Sequence, residues 1–126
     1  MSAGPLVLLI DDYEDTRELY GTYLRDRGYQ IEDAEDGFEG VAKAVALLPA
    51  LIVMDLDMPL VDGWTATEML KKDARTAAIP VICLTAHDRP EERSRASSAG
   101  CDVFLRKPCL PAALNAEVGR MLGSSA

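Results

Sequence analysis

The chain has 126 residues, 48% hydrophobic and 27% charged, the make-up of one globular domain that is neither disordered nor dependent on disulfides. Its 13 Lys and Arg against 21 Asp and Glu leave a net charge of -8, which repels phosphate backbones and anionic lipid and sets direct nucleic-acid and membrane binding aside. No basic segment precedes an apolar one at the N-terminus, and no apolar run approaches the roughly 18 residues of a membrane span, so a cytoplasmic protein is expected.

The first apolar run, PLVLLI at 5–10, fits a strand buried on both faces of a parallel sheet. TRELYGTYLRDRG (16–28) reads as an amphipathic helix with Leu19, Tyr20, Tyr23 and Leu24 on one face and Gly28 at its C-cap. YQIEDA is a weaker strand. DGFEGVAKAVALLP (36–49) places Phe38, Val41, Ala42, Val45 and Leu48 on one helical stripe, with Pro49 ending it. ALIVM (50–54) is a second buried strand, and WTATEMLKKDAR (64–75) a helix with Met69 and Leu70 inward. After the strand PVICL (80–84), HDRPEERSRASSAG opens with Asp88, Pro90 and Glu91 arranged as a capped helix start. Its body offers only Ala96 and Ala99 to a core, so this helix is expected to be weakly held and able to move. CDVFL (101–105) is the last strand, and LPAALNAEVGRMLG the last helix, with Leu114, Val118, Met121 and Leu122 on one side.

Five strand–helix units imply an α/β fold, a five-stranded parallel sheet wound on both faces, for which 2-1-3-4-5 is a common order. A single domain over residues 1–126, with a core at about 5–122, is the expectation. Ligands of such sheets bind outside the carboxyl ends of the strands, near the point where strand order reverses. At those ends stand Asp11 and Asp12, then Asp55 with Asp57, then Thr85 and Ala86, then Lys107 and Pro108. Asp12 and Asp55 should face each other across a few ångströms. Carboxylates about 5 Å apart repel by roughly 3 kcal/mol per pair at an effective dielectric near 20. Either one carboxyl keeps its proton or a cation offsets the charge, and an all-oxygen, carboxylate-rich site suits Mg²⁺. A lysine and a metal beside a carboxylate nucleophile and a hydroxyl donor are the parts of a phosphoryl-transfer site.

These residues, in this order, closely resemble the receiver domains of two-component response regulators: Asp11-Asp12, Asp55 within DLDMPLVDG, Thr85-Ala86, and Lys107-Pro108 with Phe104 three residues earlier. The resemblance covers nearly all of residues 5–122. It implies a CheY-like fold and a phosphoacceptor role for Asp55. It also implies that Asp12, Asp55 and the Asp57 main-chain carbonyl hold Mg²⁺, with Asp11 supporting the metal's waters. Thr85 and Lys107 would contact the phosphoryl group, Phe104 would be an aromatic switch, and the Lys107-Pro108 bond would be cis. A sensor histidine kinase or histidine phosphotransfer protein would be the donor. A downstream protein would dock on the fourth helix, fifth strand and fifth helix. No output domain is apparent in this chain, and no enzymatic activity on a separate substrate is expected.

Taken singly, each residue has a plainer reading. Asp11-Asp12 could be a solvated turn, Lys107 a surface lysine, Phe104 a core residue and Asp62-Gly63 the turn into the third helix. His87, the only histidine, reads as a loop residue at the rim, and Trp64 as packing. Asp57 and His87 flank the matched set and could tune how long a phosphoryl group survives. Cys83, Cys101 and Cys109 show no metal or disulfide spacing and read as core or loop thiols. Two other functions compete. Asp55-Leu56-Asp57 also resembles the DxD nucleophile motif of haloacid-dehalogenase-type phosphatases, although those carry it after the first strand. A flavodoxin-like interaction module without phosphorylation is the other. Flavin is disfavoured, because Asp11-Asp12 stands where a glycine-rich phosphate loop would be needed.

Overall fold

In the computed structural model, which describes residues 4–58, 62–87 and 89–123, strands and helices alternate along the chain. The strands are β1 (Leu6–Ile10), β2 (Gln30–Ala34), β3 (Leu51–Asp55), β4 (Val81–Thr85) and β5 (Val103–Arg106). The helices are α1 (Glu14–Asp26), α2 (Gly37–Leu47), α3 (Gly63–Lys72), α4 (Pro90–Ala99) and α5 (Pro111–Leu122). All pairings are parallel and the order is β2-β1-β3-β4-β5, as expected from the alternation. No described helix is long and apolar enough to cross a membrane.

The continuous apolar runs are continuous because both faces of the inner strands are covered. Alternate residues feed two cores. Leu8, Ile10, Ile52, Met54, Val81 and Cys83 point to the side of α2, α3 and α4, where Ala44, Trp64, Leu70 and Ala96 meet them. Val7, Leu9, Leu51, Val53, Ile82 and Leu84 point to the side of α1 and α5, against Tyr20, Leu24, Leu114 and Val118. Burying each large side chain contributes about 1.5–3 kcal/mol, which makes the inner strands the rigid part of the molecule.

The helix faces differ in part from the expected ones. On α1, Tyr20 and Leu24 are buried but Leu19 is 56% exposed. On α2 the residues against the sheet are Gly37, Gly40 and Ala44, while Phe38 is 64% exposed and Leu48 is also exposed. The reason is close approach: a Cβ at Gly40 would stand 2.5 Å from Ile10 Cδ1, so only small residues fit beneath the helix. On α3, Leu70 is inward and Met69 outward. That helix is capped by Asp62, whose carboxylate accepts the Thr65 N–H at 2.8 Å. It stops at Lys72, short of Arg75, where the Asp73 carboxylate accepts the Arg75 N–H and closes a turn.

α4 is as lightly packed as its composition implies, with only Ala96 and Ala99 buried. Pro90 opens it and Gly100 ends it at φ 101°. Its N-cap is Arg89, with no side-chain cap bond, and Asp88, expected to open the helix, lies outside the described residues. Two aromatic rings add to its hold: the Arg93 guanidinium lies 4.9 Å from the Phe104 ring centre and that of Arg95 4.8 Å from the Trp64 ring centre.

Candidate functional site

Because the strands are parallel, their carboxyl ends share one edge of the sheet. β1 runs into Asp11 and Asp12, β3 ends at Asp55, β4 at Thr85, and β5 leads into Lys107, whose bond to Pro108 is cis. β1 and β3 are neighbours with Ile10 opposite Met54, so the residues one step further on, Asp11 and Asp55, come together. One carboxylate oxygen from each of Asp11, Asp12 and Asp55 lies within 4.8 Å of the others. Asp55 is 2% exposed and Asp11 6%, whereas Asp12 faces solvent.

The electrostatics follow from this crowding. Lys107 Nζ stands 2.7 Å from Asp55 Oδ1, and the same oxygen accepts the Asp57 N–H at 2.9 Å. Burial pushes the Asp11 carboxyl up to about 6, against the Tyr13 N–H that favours its charge and with the help of the Asp55 and Asp12 charges. Burial also raises Asp55, outweighing its bonds from Lys107 and the Asp57 N–H. For Lys107 burial works against the charge, but the hydrogen bond and charge of Asp55 win and its pKa is raised. The ammonium of Lys107 thus meets more negative charge than it can offset, and the buried pair, Asp11 and Asp55, is held above the usual carboxylate range. An oxygen-only donor set with uncompensated negative charge fits a hard divalent cation such as Mg²⁺.

The far side of the site is built on β4. Thr85, fully buried, donates its hydroxyl to Asp57 Oδ1 at 2.7 Å, and the Ala86 N–H donates to Asp57 Oδ2 at 2.8 Å. Lys107 Nζ lies 3.5 Å from Asp57 Oδ2. Burial alone would raise Asp57, but the Ala86 and Thr85 bonds and the Lys107 charge outweigh it, and its pKa is lowered. His87 is exposed at the rim and meets Thr85 through its main chain, its N–H donating to Oγ1 at 3.0 Å. Phe104 is half-buried against the α2–α3–α4 core, under the Arg93 guanidinium.

Three supports of the site were not foreseen. Tyr20, read as a helix-face residue, donates its hydroxyl to the Cys109 carbonyl at 2.7 Å and ties α1 to the loop that carries Lys107. Arg17 donates to the Asp11 carbonyl at 2.9 Å and pairs with Asp33 at 3.0 Å, bracing the end of β1 against β2. Gly63 presses on the end of β3, where an added Cβ would stand 2.3 Å from the Asp55 carbonyl oxygen. The signal for Gly63 was its place behind the N-cap Asp62; for the other two the sequence carries none, since both contacts span separate elements.

Comparison with known proteins agrees with the geometry. The family model described as the response regulator receiver domain matches residues 7–119. The chain is 41% identical over 104 residues to the DNA-binding dual master transcriptional regulator RpaA of Synechocystis, covering 82% of this chain and 43% of that protein. It is 36% identical over 102 residues to protein PilH of Pseudomonas aeruginosa, covering 81% of this chain and 84% of that one. The chain thus spans about half the length of some relatives, such as RpaA, and most of the length of others, such as PilH. Among solved structures, chemotaxis protein CheY4 of Vibrio cholerae superposes with a TM-score of 0.89 at 29% identity, over 94% of this chain and 99% of that one. The receiver domain of a sensor histidine kinase from Pseudomonas aeruginosa, with a magnesium ion coordinated in its active site cleft, superposes with a TM-score of 0.88 at 30% identity, over 97% and 100% of the two chains. By sequence and by fold, the chain belongs to the response regulator receiver domain family.

Proposed function

We propose that Asp55 is the phosphoacceptor of a two-component phosphorelay. The observation that carries this is a nearly dry carboxylate, 2% exposed, aimed out of a rigid strand between Lys107 at 2.7 Å and the Asp11–Asp12 pair. An oxygen of Asp55 attacks the phosphorus of a phosphohistidine on a histidine kinase or phosphotransfer protein. The P–N bond breaks, the electron pair leaves with the imidazole, and an aspartyl phosphate remains. The chain's part is positioning and charge stabilisation. Both described hydrogen bonds to Asp55 fall on Oδ1, which fixes the carboxylate plane and leaves Oδ2 to react. Lys107 offsets the charge gathering on the transferred oxygens. Asp11, Asp12, Asp55 and the Asp57 main-chain carbonyl would hold Mg²⁺, which when bound neutralises the acidic cluster and polarises the phosphoryl oxygens.

The same site serves as a switch. Thr85 sits where a new anion on Asp55 would attract its hydroxyl, and Phe104 lies two positions back along the β4–β5 ladder, opposite Cys83. A charge event there biases α4, the least anchored helix, and a downstream protein reads the α4–β5–α5 face. The chain acts on no separate substrate in this reading and works in the cytoplasm. Intact-mass measurement after incubation with acetyl phosphate tests it. A single Mg²⁺-dependent phosphoryl adduct on the wild type, absent from Asp55→Asn, is the expected result. No adduct from acetyl phosphate or from a donor kinase would overturn it in favour of a phosphorylation-independent interaction module.

A further inference from the structure

We propose that the Asp57 carboxylate is a positioning residue that stands in for the phosphoryl group in the resting protein and is displaced when Asp55 is modified. The proposal rests on the phosphoacceptor reading and concerns a side chain to which that reading gives no part.

The contacts are specific. Asp57 spreads its two oxygens over two donors, Thr85 Oγ1 at 2.7 Å and Ala86 N at 2.8 Å, and keeps Lys107 Nζ at 3.5 Å. These are a hydroxyl, a main-chain N–H and an ammonium at one end of the sheet edge, the donor set a transferred phosphoryl group requires. The Asp57 main-chain N–H meanwhile donates to Asp55 Oδ1 at 2.9 Å. One residue is therefore fastened to the nucleophile by its backbone and to the end of β4 by its side chain.

Two anions cannot share those donors. A phosphoryl group on Asp55 competes with the Asp57 carboxylate for Thr85 and Ala86, and Asp57, itself exposed between the buried Leu56 and Met58, has solvent to turn into. Thr85 is fully buried, and a buried hydroxyl without an acceptor is costly. Exchange of one anion for another leaves it satisfied both before and after the transfer. Asp57 thus pre-assembles the receiving donors and taxes the arrival of the phosphoryl group, because its own charge-assisted bonds must break first.

The test uses the whole chain, isotope-labelled, with Mg²⁺ and with beryllofluoride as the phosphoryl mimic, comparing wild type, Asp57→Asn and Asp57→Ala. Affinity for beryllofluoride is expected to rise by about tenfold in Asp57→Ala, the order of one charge-assisted hydrogen bond released. Asp57→Asn, which keeps an acceptor for Thr85 but not a second one for Ala86, should fall between. The Ala86 amide resonance should move in unliganded Asp57→Ala and converge with the wild type once beryllofluoride is bound. Equal affinities in all three proteins, or equal gains in the Asn and Ala variants with the Ala86 amide unmoved, would overturn the stand-in role while leaving Asp55 an acceptor. Failure of the wild type itself to take up beryllofluoride and acetyl phosphate would remove the phosphoacceptor reading, and this proposal with it.

Discussion

Replacing Asp11 by Asn should stabilise the metal-free protein and weaken its hold on Mg²⁺. The Asp11 carboxyl is raised from 3.8 to about 6, chiefly by burial. Each pKa unit corresponds to about 1.4 kcal/mol, so ionised Asp11 costs the folded state up to about 3 kcal/mol at neutral pH. An amide carries no such cost and can still accept the Tyr13 N–H, which the carboxylate holds at 2.9 Å. Each kcal/mol is worth a few degrees in a domain of this size, so the melting temperature should rise by roughly 10 °C in the presence of a chelator. The pH dependence has a defined sign. The folded carboxyl binds its proton more tightly than the unfolded one, so its contribution is fully present below 3.8 and is lost as pH rises through about 6. Wild type should therefore lose stability over that window relative to Asp11→Asn. Excess Mg²⁺ should close or reverse the gap, because it binds only the folded wild-type site with full affinity. Thermal melts across this pH range, with and without Mg²⁺, measure all of this. A variant no more stable than wild type at neutral pH without metal, or a gap that does not shrink toward acid, would refute the reasoning.

Other outcomes follow from single contacts. Tyr20→Phe should cost about 1 kcal/mol by leaving the Cys109 carbonyl without its donor, read by denaturant unfolding. Burial raises the Tyr20 hydroxyl from 10.0 to about 12, so wild-type stability should fall through that window as pH rises, and the Phe variant should lack that component. Gly63→Ala would drive a Cβ to 2.3 Å from the Asp55 carbonyl; it should destabilise by about 1–3 kcal/mol and slow phosphorylation by acetyl phosphate, and an unchanged rate would show that α3 does not set the position of Asp55. The fluorescence of Trp64 should change when beryllofluoride binds, because Arg95 stacks 4.8 Å from its ring centre, and Arg95→Ala should shift the unliganded emission toward the liganded one.

The inner strands were readable because burial on both faces leaves an unbroken apolar run, and parallel order then places Asp11, Asp12, Asp55, Thr85 and Lys107 on one edge by rule. The stripe on α2 misled in part: Val41 does pack against the core, but hydrophobicity also points to Phe38 and Leu48 as inward, whereas the residues buried against the sheet are small and at Gly40 it approaches too closely for a side chain. The contacts of Asp57 were half visible. Its position two residues after Asp55 could be read, but which way its carboxylate turns depends on Thr85 and Ala86, 28 and 29 residues away along the chain. Tyr20 and Arg17 escaped for the same reason: a hydrogen bond across elements leaves no periodic trace.

The light packing of α4 has a consequence for the fidelity of the molecule. Two buried alanines, two stacked arginines, each stack worth about 0.5–1 kcal/mol where solvent reaches it, and an Arg95–Asp62 ion pair at 3.9 Å hold the helix, so a displaced arrangement is expected to lie only a few kcal/mol away. A gap of that size keeps roughly 0.1–10% of molecules in the displaced arrangement at any moment. In the proposed switch, some unphosphorylated protein would then present the α4–β5–α5 face spontaneously, and the two arginines on α4 would set the background noise above which a phosphoryl group has to be heard.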